Sequence, residues 1–154
     1  MNVEKPQTEH VNPDDSRVAE ILASFKNVAV IGLTPDQNGT SHRVARFLKR
    51  HGFRVYPVNP RYASVLGEVS YPFLREVPAA VDIVNIFRRP EHLAGIIEDA
   101  VSVGAKVAWL QPGIISEDFA ARAREAGLEV IMDRCIKKEY ERLTLQRRPD
   151  PPDG

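Results

Sequence analysis

Four short stretches of this chain carry the residue types that hold an anion or a nucleotide. The first is Asn27-Val28-Ala29-Val30-Ile31-Gly32-Leu33-Thr34-Pro35, followed by Gly39-Thr40-Ser41 and Arg43. An apolar run, a glycine, a polar loop and a helix start bring backbone N–H groups and the positive end of a helix dipole together, which suits a phosphate. Gly32 permits a tight turn and close backbone approach. Thr40 or Ser41 is the expected helix cap. The spacing is not G-x-G-x-x-G, because the next glycine is Gly39 and Pro35 stands between. An ordinary capped helix with Arg43 in solvent uses the same residues, so both readings stay open.

The second stretch, Val58-Asn59-Pro60-Arg61, contains no Asp or Glu. NAD sites place a carboxylate near the end of the second strand to hold the ribose hydroxyls. Its absence disfavours NAD. It leaves NADP or another nucleotide with an extra phosphate, Asn59 meeting a ribose or base edge and Arg61 the phosphate. A simple strand stop at Asn59-Pro60 is the other reading. The third stretch is Phe87-Arg88-Arg89-Pro90. Arginines ahead of a helix start oppose its positive end, at about 0.3–1 kcal/mol each when exposed. A bound anion reverses that sign, and solvent screening removes it. The fourth, Gln111-Pro112-Gly113, forms a turn whose amide offers both a donor and an acceptor.

Met132-Asp133-Arg134-Cys135 brings a thiol to the same region. Cys135 is a candidate for thiol exchange, or a small buried residue at a helix start. His42 beside the first loop is either a donor to an anion or an exposed helix-start residue. His10, His51 and His92 have no mutual spacing for a metal. Spacing pairs no serine or cysteine with a histidine and converges no two carboxylates. The chain offers a cradle, and no catalytic residue is assigned.

These stretches need a frame. Asp14 or Asp15 caps a first helix with an apolar stripe at Val18, Ile21, Leu22 and Phe25. Val28–Ile31, Phe53–Val58, Val81–Phe87, Lys106–Leu110 and Leu128–Met132 read as strands, several apolar throughout and so buried on both faces. Between them lie a helix from Thr40 or Ser41 to Gly52, one starting at Pro90 and ending at Gly104, and one from Ser116 to Gly127. A helix over Ile136–Leu145 closes the domain. Residues 65–77 hold a short strand or turn. The alternation predicts an α/β fold: a Rossmann-like doubly wound parallel sheet in three α/β/α layers, one domain, central order 3-2-1-4-5. Such a sheet binds ligands beyond the carboxyl ends of its strands. All four stretches follow strands.

The chain has 154 residues, 43% hydrophobic and 27% charged, with zero formal net charge. That balance argues against nucleic acid or a membrane surface as partner. No apolar run reaches the roughly 18 residues of a membrane span, and the polar segment 1–15 lacks a signal-peptide core. One cysteine excludes an internal disulfide. These features favour a cytoplasmic protein. Residues 1–13 read as flexible, 14–145 as the folded domain and 146–154 as a disordered tail.

In order along the chain, Val28–Leu33, Ser41–Ala45, Val55–Pro60, Val81–Val84 with Phe87-Arg88-Arg89, Gly104–Gln111 and Met132–Cys135 resemble the small stand-alone CoA-binding domain proteins. These are similar to the CoA-binding domain of the succinyl-CoA synthetase alpha subunit. The resemblance implies a Rossmann-like domain that binds coenzyme A or an acyl-CoA. Gly32, Thr34, Pro35, Ser41 and Arg43 would then line the pyrophosphate region. Val58, Asn59 and Pro60 would lie against the adenosine part. Phe87, Arg88 and Arg89 would cover the next loop, and Gln111, Pro112 and Gly113 would flank the pantetheine path. The 3′-phosphate of CoA agrees with the missing ribose carboxylate. The chain lacks the synthetase's ligase domains and phosphohistidine machinery, so acyl-CoA synthesis by it alone is not expected. An NADP-dependent oxidoreductase on the same cleft is the alternative. Protein partners stay open.

Overall fold

Short apolar strands buried on both faces must stack side by side under two layers of helix. A computed structural model, which describes residues 9–145, has that arrangement. Its strands are β1 (Asn27–Ile31), β2 (Arg54–Val58), β3 (Ser64–Val65), β4 (Glu68–Val69), β5 (Ile83–Ile86), β6 (Val107–Leu110) and β7 (Glu129–Met132). Its helices are α1 (Asp15–Ser24), α2 (Thr40–Arg50), α3 (Ile96–Ser102), α4 (Glu117–Glu125) and α5 (Ile136–Tyr140).

One sheet of five strands runs β2-β1-β5-β6-β7, every neighbouring pair parallel. Side chains alternate between its faces. Ala29, Val84, Ala108 and Val130 point into one core, shared with Ile97 and Ala100 of α3 and Phe119 and Ala123 of α4. Val28, Val30, Ile83, Trp109 and Ile131 point into the other, shared with Ile21 and Leu22 of α1, Val44 and Leu48 of α2 and Ile136 of α5. The result is the expected α/β/α sandwich.

The expected strand order is not adopted as written. The third position beside β2 holds no full strand. The chain there folds into the antiparallel β3–β4 hairpin, and only Tyr71 makes a parallel bridge, to Val58. The segment offers no continuous apolar run, and Pro72 has no N–H with which to extend a ladder. The order reversal at β1 survives, so the crevice lies between the loops that follow β1 and β5.

Two helix starts also differ from expectation. Gly39, not Thr40 or Ser41, occupies the cap of α2, and no side chain caps that end. The helix expected from Pro90 is a single 3₁₀ turn over Pro90–His92; α3 begins only after Gly95, whose φ of +83° breaks the path. Leu93, Ile96, Ile97 and Ala100 are nonetheless buried as the stripe predicts. Asp14 and Ser116 cap α1 and α4, accepting from Arg17 N and Phe119 N at 2.9 and 3.1 Å. Past α5 the chain continues as a π-helical turn over Glu141–Leu145.

Of the N-terminal segment 1–13, residues 9–13 are described. Asn12 ties this stretch to the sheet edge: its Oδ1 accepts from Met132 N at 2.8 Å and its Nδ2 donates to Met132 O at 3.1 Å. One amide thus stands in for a neighbouring strand on β7. Residues 1–8 and the tail 146–154 lie outside the described residues.

Trp109 is fully buried in β6, and its indole Nε1 donates to Arg134 O at 2.9 Å, across to the loop after β7. Trp109→Phe leaves that carbonyl unpaired and removes ring volume, so unfolding in urea should show a loss of about 2–4 kcal/mol.

Candidate functional site

The rim where the parallel strands end is organised around Gly32. Its φ is +90°, and its N–H donates to Val58 O at 2.9 Å. A Cβ built there would lie 2.8 Å from Phe87 O and 3.2 Å from Arg88 Cδ. The chain leaving β1 therefore passes the chain leaving β5 at backbone contact, and glycine alone fits. Phe87 N donates back to Ile31 O at 2.9 Å.

The loop from Gly32 to α2 folds on itself. Thr34 N donates to Ser41 Oγ at 3.3 Å, Asp36 N to Thr34 Oγ1 at 3.3 Å and Asn38 N to Asp36 Oδ1 at 3.0 Å. Ser41 is thus a buried brace for the loop rather than a helix cap. Pro35 is exposed and lines none of the three rim clefts described below. With no side-chain cap, the first-turn N–H groups of α2 remain available at its positive end.

Asn59 serves the backbone. Its Nδ2 donates to Leu33 O at 3.1 Å and its Oδ1 accepts from Arg61 N at 3.0 Å, so it clamps the β1 and β2 loops together. The sequence leaves a ribose or base contact and a simple strand stop both open for Asn59; in the structure its amide bonds the protein backbone while the residue lines the first cleft described below.

Three clefts follow one another along this rim. The first, of about 670 Å³, is lined by Gly32, Thr34, Asn59, Pro60, Arg61 and Tyr62 on one side and Phe87, Arg88, Arg89 and His92 on the other. The second, of about 530 Å³, takes Phe87, Arg88 and Arg89 as its shared wall and adds Thr40, Arg43, Gln111, Pro112, Ile114, Cys135 and Lys138. The third, of about 290 Å³, continues beyond the first past Val58, Pro60, Arg88 and His92 toward Phe73 and Ile96. The arginine loop after β5 is the partition between the first two. The residues expected to form one pyrophosphate region are divided: Gly32 and Thr34 face the first cleft, and Arg43 faces the second.

The electrostatics of this rim are one-sided. Arg43, Arg61, Arg88, Arg89 and Lys138 line the first two clefts, and no carboxylate does among the described residues. Among the described residues Arg89 pairs with Glu91 alone, at 3.8 Å and in solvent. The four described groups with displaced ionisation, Asp15, Arg17, Lys26 and Arg142, line none of the three clefts. A hydrogen bond from Arg142 holds the Asp15 carboxyl below its usual value, and burial lowers Lys26.

Gln111 is 2% exposed; its Oε1 accepts from Ile136 N at 3.3 Å, and its Nε2 has no partner among the described residues. Pro112 lines the second cleft. Gly113 does not; its N–H donates to Asp133 Oδ1 at 2.8 Å and locks two neighbouring loops. Two buried polar groups were beyond sequence reasoning. His42 is buried with an unpartnered Nδ1, where the sequence left anion donor and exposed surface residue open. Asn85 sits fully buried in β5 with neither amide atom paired. An amide inside an otherwise apolar strand is the signal that could have drawn attention to it. No cluster of metal-ligating side chains occurs among the described residues.

A family model described as CoA binding domain matches residues 26–141, three-quarters of the chain. The chain belongs to the CoA-binding domain family. It is 39% identical over 126 residues to the uncharacterized protein YneT of Bacillus subtilis, covering 82% of this chain and 93% of that one. A solved structure of a hypothetical protein from Pyrococcus horikoshii superposes with a TM-score of 0.82 at 34% identity, over 93% of this chain and 99% of that one. The acetate–CoA ligase (ADP-forming) I of Archaeoglobus fulgidus is 25% identical over 121 residues; the match takes in 72% of this chain and 18% of the ligase. The CoA-binding domain unit runs from just before β1 through α5 and so contains every rim loop described above.

The glycine of this CoA-binding domain is testable alone. Gly32→Ala forces an unfavourable φ and sets a methyl against a backbone oxygen, so the urea midpoint should fall by the equivalent of about 2–4 kcal/mol with an unchanged m-value.

Proposed function

We propose that the protein is a binding module for coenzyme A or an acyl-CoA and performs no reaction of its own. One observation carries this reading. A chain with zero net charge gathers five cations and no carboxylate, among the described residues, around two adjoining clefts at the sheet's switch point. CoA is an elongated anion with a diphosphate, a 3′-phosphate and a long neutral arm, and the rim matches that sequence of chemistries. The diphosphate lies at the partition, taken by Arg88, the Gly32 turn and the uncapped start of α2 with Arg43. The adenosine lies toward Pro60 and Tyr62, its 3′-phosphate at Arg61. The pantetheine runs into the second cleft past Gln111 and Pro112, where the unpartnered Gln111 Nε2 can donate to an amide carbonyl. The buried unpaired donor at Gln111 is a feature such a ligand uses. Cytoplasmic location follows as part of the proposal.

Titration calorimetry tests it with CoA, dephospho-CoA and NADP. CoA should bind, dephospho-CoA more weakly, and NADP should give no heat. Heat from NADP alone would favour the oxidoreductase reading, and silence for all three would end the proposal. Arg88→Ala should weaken CoA by about 1.5–3 kcal/mol, roughly 10- to 100-fold, and the more exposed Arg43→Ala by the lower end of that range.

A further inference from the structure

We propose that Cys135 is a thiol-exchange site specific for the disulfide form of the ligand, which makes the module a carrier of a covalently held CoA moiety under oxidising conditions. This rests on the CoA-binding reading and extends it to the free thiol end of the ligand.

Cys135 is half-buried and lines the second cleft together with Arg43, Arg88, Arg89 and Gln111. Its position is fixed from several directions. Arg134 N donates to Leu110 O at 3.3 Å, and Arg134 O accepts from the buried Trp109 indole at 2.9 Å. Ile136 N, one residue on, donates to Gln111 Oε1 at 3.3 Å. Asp133 adopts a left-handed φ of +63° while its carboxylate holds Gly113 N at 2.8 Å. So braced, Cys135 packs partly against the core and lines the cleft.

A second observation points to a ligand there. Gln111 belongs to the same cleft, is 2% exposed, and its Nε2 lacks any protein partner among the described residues. A buried amide donor left free beside the thiol suits the amide carbonyls of a pantetheine arm that ends in sulfur. Cys135 is the chain's one cysteine, so it has no intramolecular partner to oxidise with.

The step balances without an outside oxidant. The Cys135 thiolate attacks one sulfur of a symmetric CoA disulfide. The protein–CoA sulfur–sulfur bond forms, and the bond between the two CoA sulfurs breaks. The electron pair leaves on the second CoA as a thiolate, which takes up the proton that Cys135 gave to solvent. A free thiol reverses it. Binding the anionic body of the reagent first raises the effective concentration of its disulfide at Cys135.

Intact-protein mass spectrometry, with calorimetry of desulfo-CoA alongside, decides it. Micromolar CoA disulfide should add one CoA moiety at least about tenfold faster than glutathione disulfide adds glutathione. Excess desulfo-CoA, which lacks the sulfur, should suppress the adduct, and Cys135→Ser should abolish it. Equal rates for the two disulfides, or an adduct indifferent to desulfo-CoA, would make Cys135 a generic surface thiol and overturn the proposal. Heat from desulfo-CoA with no adduct would overturn it while leaving the binding reading intact. Absence of that heat would remove both.

Discussion

The chain leaving β1 and the chain leaving β5 pass so closely that a single methyl group would not fit between them. Gly32 makes that approach, with Phe87 O 2.8 Å from where its Cβ would stand. Three strands converge on the contact, because Gly32 N is bonded to Val58 O of β2 and Phe87 N to Ile31 O of β1. Where the sheet order reverses, loops normally diverge and leave a crevice. Here the crevice stays open, but its floor is drawn tight enough to carry Arg88 directly over the glycine. The positions of both basic clefts follow from this one close approach.

Charge segregation follows from the same geometry. Arg61, Arg88 and Arg89 come from the ends of two strands that flank β1, and Arg43 and Lys138 from two helices that cover one face. None is near the others in sequence except the Arg88–Arg89 pair. The compensating acids lie elsewhere, many in surface pairs such as Arg17–Glu129 and Lys106–Asp82. Such pairs contribute little to stability, and the carboxylates of the rim loops themselves, Asp36, Glu91 and Asp133, line neither basic cleft. A chain neutral overall is thereby locally cationic at these two clefts.

The far wall of the second cleft is supported from within the core. Trp109, Gln111 and the backbone of β6 all bond the loop that follows β7. A buried indole and a buried amide thus set the height of Cys135 above the sheet. Elsewhere polar groups inside apolar layers go unpaired, as Asn85 does in β5. Burying an amide without partners opposes folding, and the fold accommodates it between two well-packed cores.

The sequence by itself determined the five sheet strands and their burial on both faces, the Ser116 cap, a cap at Asp14 or Asp15, and the location of every candidate stretch after a strand. These are local properties: period, capping residues and strand breakers act over a few positions, and the chain shows them without a partner. The family was legible for the same reason, as ordered runs that each belong to one strand end. Only the tertiary structure decided that Gly39 starts α2, that Ser41 and Asn59 brace loops, that His42 is buried and that Gly32 and Arg43 face different clefts. It alone made Asn12 a stand-in strand on the edge of β7. Asn59 and Asn12 depend on groups brought close by sheet order, 26 and 120 residues away in the chain, and spacing along a sequence carries no information about which distant carbonyl an amide will meet.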